Sequence, residues 1–301
     1  MLDRGDNLPL THDRDQPPDL AFALKVEGAY LGLIQAVSAG RSSNQEPSLG
    51  GKLLYIPELD EDGRALAVAG NVAGAATLAA SANPAVQKQA VRDGVVDFLV
   101  TSLDEALRIL KNEIRKRETV AVCVAASPKA VEEQMLERGV LPDLLRPRTS
   151  SAMDLSGLPL KEESRTVEPD PMKIPALVTW SVATEPAQWL PKLDAIALDC
   201  LEQDAWAARR WLRVGPRYLG RLAHGVRLLH ADREFGARFI EQVRSRVECS
   251  EIGVPVSIQA TCRGGVEEHH FSPPRCSQNA PCFHPCSTPA ASMRAQSSFT
   301  P

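Results

Sequence analysis

Three places in the 301-residue chain gather residue types that can do chemistry. The segment Glu58-Leu59-Asp60-Glu61-Asp62-Gly63-Arg64-Ala65 holds four carboxylates in a short turn. Such a cluster can hold a divalent cation, but the spacing of a calcium loop and its terminal Glu are missing. A solvated acidic turn leading into a helix suits the residues better. Near the C-terminus lie Cys262, His269, His270, Cys276, Cys282, His284 and Cys286. Cys and His ligate zinc, and the Cys282–Cys286 spacing occurs in structural sites. No paired Cys-x-x-Cys motif accompanies it, and Pro and Ser dominate the surroundings, so an unpacked tail is expected rather than a metal centre. Finally, His224 and His230 flank the apolar run at 226–229. No Ser or Cys nucleophile pattern goes with them, which favours a structural role. Asp232-Arg233 reads as a helix cap. No catalytic residue and no metal ligand is assigned from these groups.

Composition narrows the classes of function. Formal net charge is -4, hydrophobic residues make up 44% and charged residues 24% of the chain, an ordinary balance for a globular protein. No basic block with interleaved aromatics points to nucleic acid. No uninterrupted run of about 18 apolar residues points to a membrane span. The polar, mixed-charge start, MLDRGDNLPLTHDRDQPPD, lacks the basic-then-apolar order of a secretory signal, so a cytoplasmic protein is expected. Cys123, Cys200 and Cys249 stand singly in apolar or helical stretches, as small buried hydrophobes do.

The elements that must position any site follow a strand–helix rhythm. Residues 1–20 read as a flexible arm, and an amphipathic helix follows from about 21 to 40. Strands are expected at 53–56, 96–100, 119–126 and 141–145, with helices over 64–74, from Asn83-Pro84, from Ser102 and over 128–139. Ser102 and Glu105 form a capping box, and Leu103, Ala106, Leu107, Leu110 and Ile114 repeat at helical spacing. Residues 74–80, GAATLAA, fit either a helix or a strand. This alternation predicts an α/β fold, a Rossmann-like parallel sheet with helices on both faces. Residues 146–174 are Pro/Ser-rich and read as a linker. A second segment, 175–260, carries strands near 176–182, 226–229 and 254–258, with helices at 184–201, 203–214 and 232–247, and is expected to complete the domain. Residues 261–301 read as a disordered tail.

From Lys25 to Leu145 the sequence resembles the NAD-binding domain of the urocanase (urocanate hydratase) family. EGAY at 27–30 is similar to the family's Gln-Gly-Thr-Tyr, GKLLYI at 51–56 to its Gly-Lys-hydrophobic strand, TSLDEALRI at 101–109 to its Ser-Leu-Glu-Glu-Ala-Leu segment, and LERGVLPD at 136–143 to its Glu-Arg-Gly-hydrophobic-Pro-Asp segment. A weaker likeness runs through VTWSVATEPAQW (178–189), RWLR (210–213) and residues 220–243. The long N-terminal part of urocanase and the stretch at the linker are expected to have no counterpart here.

The resemblance implies tightly bound NAD acting as an electrophile toward urocanate, in histidine degradation. It also locates the cofactor positions. The family's Gly-hydrophobic-Gly-Gly-Met-Gly-Gly-Ala loop falls on residues 58–65, where only Gly63 keeps a glycine. The acidic ribose anchor falls at Ser81, near Asn83, and a later Gly-Asn falls at Ala126-Ser127. The family's Thr-Asp-Gln-Thr-Ser-Ala-His-Asp segment falls on RPRTSSAM, leaving Thr149 and Ser150. The catalytic cysteine segment falls near Met172, where no Cys stands. The cofactor-binding residues implied are therefore Gly63, Thr149 and Ser150. The expectation is a urocanase-family protein without hydratase activity, kept as a binding or scaffold subunit. The alternatives are a divergent NAD-dependent urocanate hydratase and a partner of a complete urocanase, with homo-oligomers open in each case.

Overall fold

The computed structural model describes residues 18–38, 48–145, 165–166, 176–219, 225–262 and 265–274. Its first half runs α1 (Pro18–Ser38), β1 (Leu53–Ile56), α2 (Glu61–Ala73), β2 (Ala76–Ala80), α3 (Pro84–Arg92), β3 (Phe98–Val100), α4 (Leu103–Lys116), β4 (Val120–Val124), α5 (Pro128–Glu137), β5 (Leu144–Leu145) and β6 (Arg165–Thr166). The strands form one sheet in the order β3-β4-β2-β1-β5-β6, every pair parallel. This is the expected Rossmann-like α/β architecture.

Strand periodicity sorts the helices to the two faces. Leu54, Ile56, Ala79, Ala121 and Cys123 pack on one side with α1 and α2. Their neighbours Leu53, Tyr55, Leu78, Val122 and Val124 pack on the other with Leu103, Ala106 and Leu110 of α4 and Val131 and Met135 of α5. Because both faces are covered, these strands are short continuous apolar runs rather than alternating ones. Close packing of α2 depends on Gly70, where a Cβ would lie 2.8 Å from Leu54 Cδ2 and 3.0 Å from Thr77 Oγ1. The helix ends at Gly74, whose φ of 94° is left-handed, a conformation glycine takes without steric cost. That resolves residues 74–80: Gly74 stops the helix and 76–80 is strand.

The second half runs β7 (Ala176–Val182), α6 (Pro186–Cys200), α7 (Trp206–Leu219), β8 (Val226–Ala231), α8 (Arg233–Glu248), β9 (Val256–Cys262) and β10 (Gly265–Phe271). It adds no strand to the parallel sheet. It builds its own sheet, ordered β10-β9-β7-β8 and antiparallel throughout. One hydrophobic cluster nevertheless joins the two halves, running from α1 and α2 through Trp211 and Leu212 of α7 to Leu228, Phe235 and Ile258. Polar joints reinforce it. Tyr30 Oη donates to the carbonyl of Ala207 at 2.9 Å, Arg210 Nε to that of Val72 at 2.8 Å, and Trp211 Nε1 to that of Leu228 at 2.8 Å.

Other boundaries also move. Helix α1 begins at Pro18, inside the expected arm. The expected linker holds β6, which pairs with β5. Order continues past residue 260 into the β9–β10 hairpin, missed because GVEEHHF lies on a largely exposed edge and shows no apolar signature. By length and composition, Leu20–Ser38 could cross a membrane, although no such run was expected. Here Ala23, Val26, Tyr30 and Leu33 of this helix are buried in the core.

Candidate functional site

The topology singles out one crevice. From β1 the chain passes through α2 to β2 on one side, while β5 reaches β1 on the other. At such a divergence the carboxyl ends of the two strands and the following helix N-terminus frame the ligand site of open α/β sheets. Among the described residues the frame consists of residues 57–60 and the first turn of α2, beside the carboxyl end of β5 at Leu145. Gly63 sits in that first turn and is buried. Thr149 and Ser150 follow β5 closely in sequence but lie outside the described residues, as does Met172.

The chain's own groups have filled the amino end of α2. Asp60 is the N-cap, and its Oδ1 accepts the Gly63 N–H at 2.7 Å. This bond satisfies one of the amides that a helix start leaves without an intrahelical partner. Pro57 and Leu59 are buried and anchor the turn. Glu61 and Asp62 project outward, and Lys25 of α1 bridges them, its Nζ 2.7 Å from Glu61 Oε1 and 3.3 Å from Asp62 Oδ1. The Glu61 carboxylate holds the Lys25 ammonium above its ordinary value. Arg64 turns away to pair with Asp93 beyond α3.

These residues do not fit a dinucleotide. A pyrophosphate at a helix start needs close backbone approach and amides free to donate. Here the Gly63 amide is engaged by a carboxylate, and two more flank it. A like-charge contact at 4 Å costs on the order of 4 kcal/mol at an effective dielectric near 20. A helix terminus returns only about 1 kcal/mol.

Other described positions marked by the resemblance are also spent on local structure. Ser81 is 7% exposed. Its N–H donates to the Val124 carbonyl, its Oγ accepts from Asn83 N, and its carbonyl accepts from Gln87 Nε2 at 2.7 Å. Asn83 Oδ1 caps α3 through Ala85 N at 2.9 Å, and Ser127 Oγ caps α5 through Ala130 N at 3.3 Å. The Pro142-Asp143 end of LERGVLPD is a clasp: Asp143 Oδ2 accepts the Leu53 N–H at 2.8 Å, and Oδ1 lies 3.4 Å from Lys52 Nζ.

Sequence reasoning missed two buried carboxylates. Glu27 is 1% exposed. One of its oxygens accepts the His230 N–H at 2.7 Å, and the other lies 2.6 Å from His230 Nδ1. The sequence signal was a Glu in EGAY where the resembling family has Gln. The second group is Asp194, which accepts from Trp180 Nε1 and Arg227 Nε, each at 3.1 Å. Burial pushes its carboxyl above the usual range, against the opposing pull of Arg227.

Burial pushes Cys123 up to about 12 and raises Cys200. Among the described residues no three His, Cys, Asp or Glu side chains converge on a metal position. His224, Cys276, Cys282, His284 and Cys286 lie outside the described residues.

Comparison with known proteins agrees with the Rossmann-like fold. Residues 26–191 match the urocanase Rossmann-like domain. S-methyl thiourocanate hydratase of Variovorax sp. (strain JCM 16519 / RA8) is 26% identical over 162 residues, which is 52% of this chain. The chain spans only 29% of that relative's length. With more than half of its residues matching the family's Rossmann-like domain, and with a parallel sheet in place, the chain belongs to the urocanase family.

Proposed function

We propose that this chain is a urocanase-family binding or scaffold subunit of the cytoplasm that does not itself hydrate urocanate. The observation that carries the reading is the Asp60 carboxylate seated on the Gly63 amide at 2.7 Å, at the place where a dinucleotide phosphate would need that amide. The partner suggested by family membership is a second urocanase-family chain, either a complete urocanase or another copy of this one.

Two measurements on the full chain test this. Isothermal titration with NAD should give no binding heat, and urocanate absorbance should stay constant in the presence of the protein and NAD. Turnover that is abolished by Thr149→Ala or Ser150→Ala would overturn the reading.

One observation favours a second reading, a divergent NAD-dependent hydratase. The α2 amino end keeps its place beside the carboxyl end of β1, and the curated relative is by name a hydratase of an S-methylated thiourocanate. Loss of absorbance from either compound would support this second reading.

A further inference from the structure

The mismatch between α2 and a dinucleotide has a specific physical form. We infer that the Asp60 carboxylate is an internal occupant of the anion position at the α2 amino end, so that this end is complete without any bound phosphate. The inference rests on the reading above and assigns the closure to one side chain.

Three groups that could receive an anion there are committed within the chain. The Gly63 amide donates to Asp60 Oδ1. Lys25 is held between Glu61 and Asp62. The Arg64 guanidinium is paired with Asp93, which also accepts from Gln89 Nε2 at 2.7 Å. The Asp60 carbonyl meanwhile accepts the Arg64 N–H at 2.9 Å, so the residue closes the helix start with its backbone and its side chain together. Buried Pro57 and Leu59 keep the turn from swinging away. A carboxylate and a phosphate oxygen present the same acceptor to a helix amide. Removing the carboxylate should therefore leave a vacancy that a free phosphate can fill.

The test is chemical rescue, read as melting temperature with inorganic phosphate against sodium chloride at matched ionic strength. The wild-type chain should melt at the same temperature in both salts. Asp60→Gly should melt up to about 1 °C lower in chloride, because glycine is itself tolerated at a helix cap, and recover part of this in phosphate. Adding Glu61→Gln and Asp62→Asn should enlarge the recovery, because less like charge remains. Asp60→Asn keeps an acceptor on the amide and should show no phosphate effect, which keeps the inference testable if the glycine variant fails to fold. Phosphate stabilisation of the wild type, rescue of Asp60→Asn, or an Asp60→Gly variant indifferent to phosphate would each overturn the inference. None of these results depends on NAD titration of the wild type, so the two ideas can fail separately.

Discussion

Glu27 and His230 stand 203 residues apart and share a two-point contact, with the carboxylate taking both the peptide N–H and the imidazole Nδ1. The contact ties α1 to β8 and hence the parallel half of the molecule to the antiparallel half. Glu27→Ala would leave the His230 amide without its acceptor in a buried setting, at a cost of about 2–3 kcal/mol. Glu27→Gln should cost less, since an amide oxygen can still accept one bond. Urea unfolding measures both. A Glu27→Ala chain as stable as the wild type would show that the contact contributes nothing.

Gly70→Ala tests the seating of α2 on the sheet. Alanine favours a helix over glycine by about 1 kcal/mol, but its methyl would press on the buried Leu54 side chain at 2.8 Å. Overpacking of this kind costs roughly 1–3 kcal/mol. A net loss of about 1 kcal/mol is expected in chemical denaturation, and a stabilised variant would show that Leu54 yields freely.

Asp194 gives the chain a pH signature. Burial raises its folded-state carboxyl above the ordinary value of 3.8, against Arg227 and Trp180. Between that value and the raised one, the folded state binds more protons than the unfolded state, so this group's contribution to stability falls as pH rises through the window. Asp194→Asn removes the titration. The stability difference between variant and wild type should therefore shift in the variant's favour as pH rises from about 4 to 7. A difference that stays constant across denaturation curves in that range would contradict the assignment.

The thiols should separate by reactivity. Thiolate, not thiol, is the nucleophile, and burial holds Cys123 up to about 12 and raises Cys200, while Cys249 is exposed. Brief iodoacetamide treatment of the native chain, followed by peptide mapping, should label Cys249 well before Cys123 and Cys200. Equal labelling of Cys123 would mean that the sheet opens readily at β4.

Much of the parallel half was legible because its signals are local. The Ser102 cap and the 3.6-residue spacing after it mark α4 within one residue, and the VAVCV run marks β4. The acidic turn was legible only as repulsion. Four carboxylates in sequence do not reveal which one bends back onto the helix, because that depends on Pro57 and Leu59 being held in the core. The antiparallel sheet was hidden for a related reason. Strands β7, β8 and β9 each read as strands, but pairing direction is set by contacts far apart in the sequence. The polar strand β10 has no buried face strong enough to announce it. The buried Glu27 and Asp194 look like ordinary surface charges until partners 203 and 33 positions away arrive.

The limits of the family match, residues 26 and 191, fall inside α1 and α6 rather than between elements. Ancestry and cooperativity therefore have different borders in this chain. A polypeptide trimmed to those limits would begin and end in mid-helix and would lack Asp194, the acceptor of the Trp180 indole. It would also lack Leu193, Ile196 and Ala197, which are buried in the same hydrophobic cluster as that ring. Such a fragment is expected to be insoluble on its own, so the smallest piece worth expressing runs from Pro18 to at least Phe271.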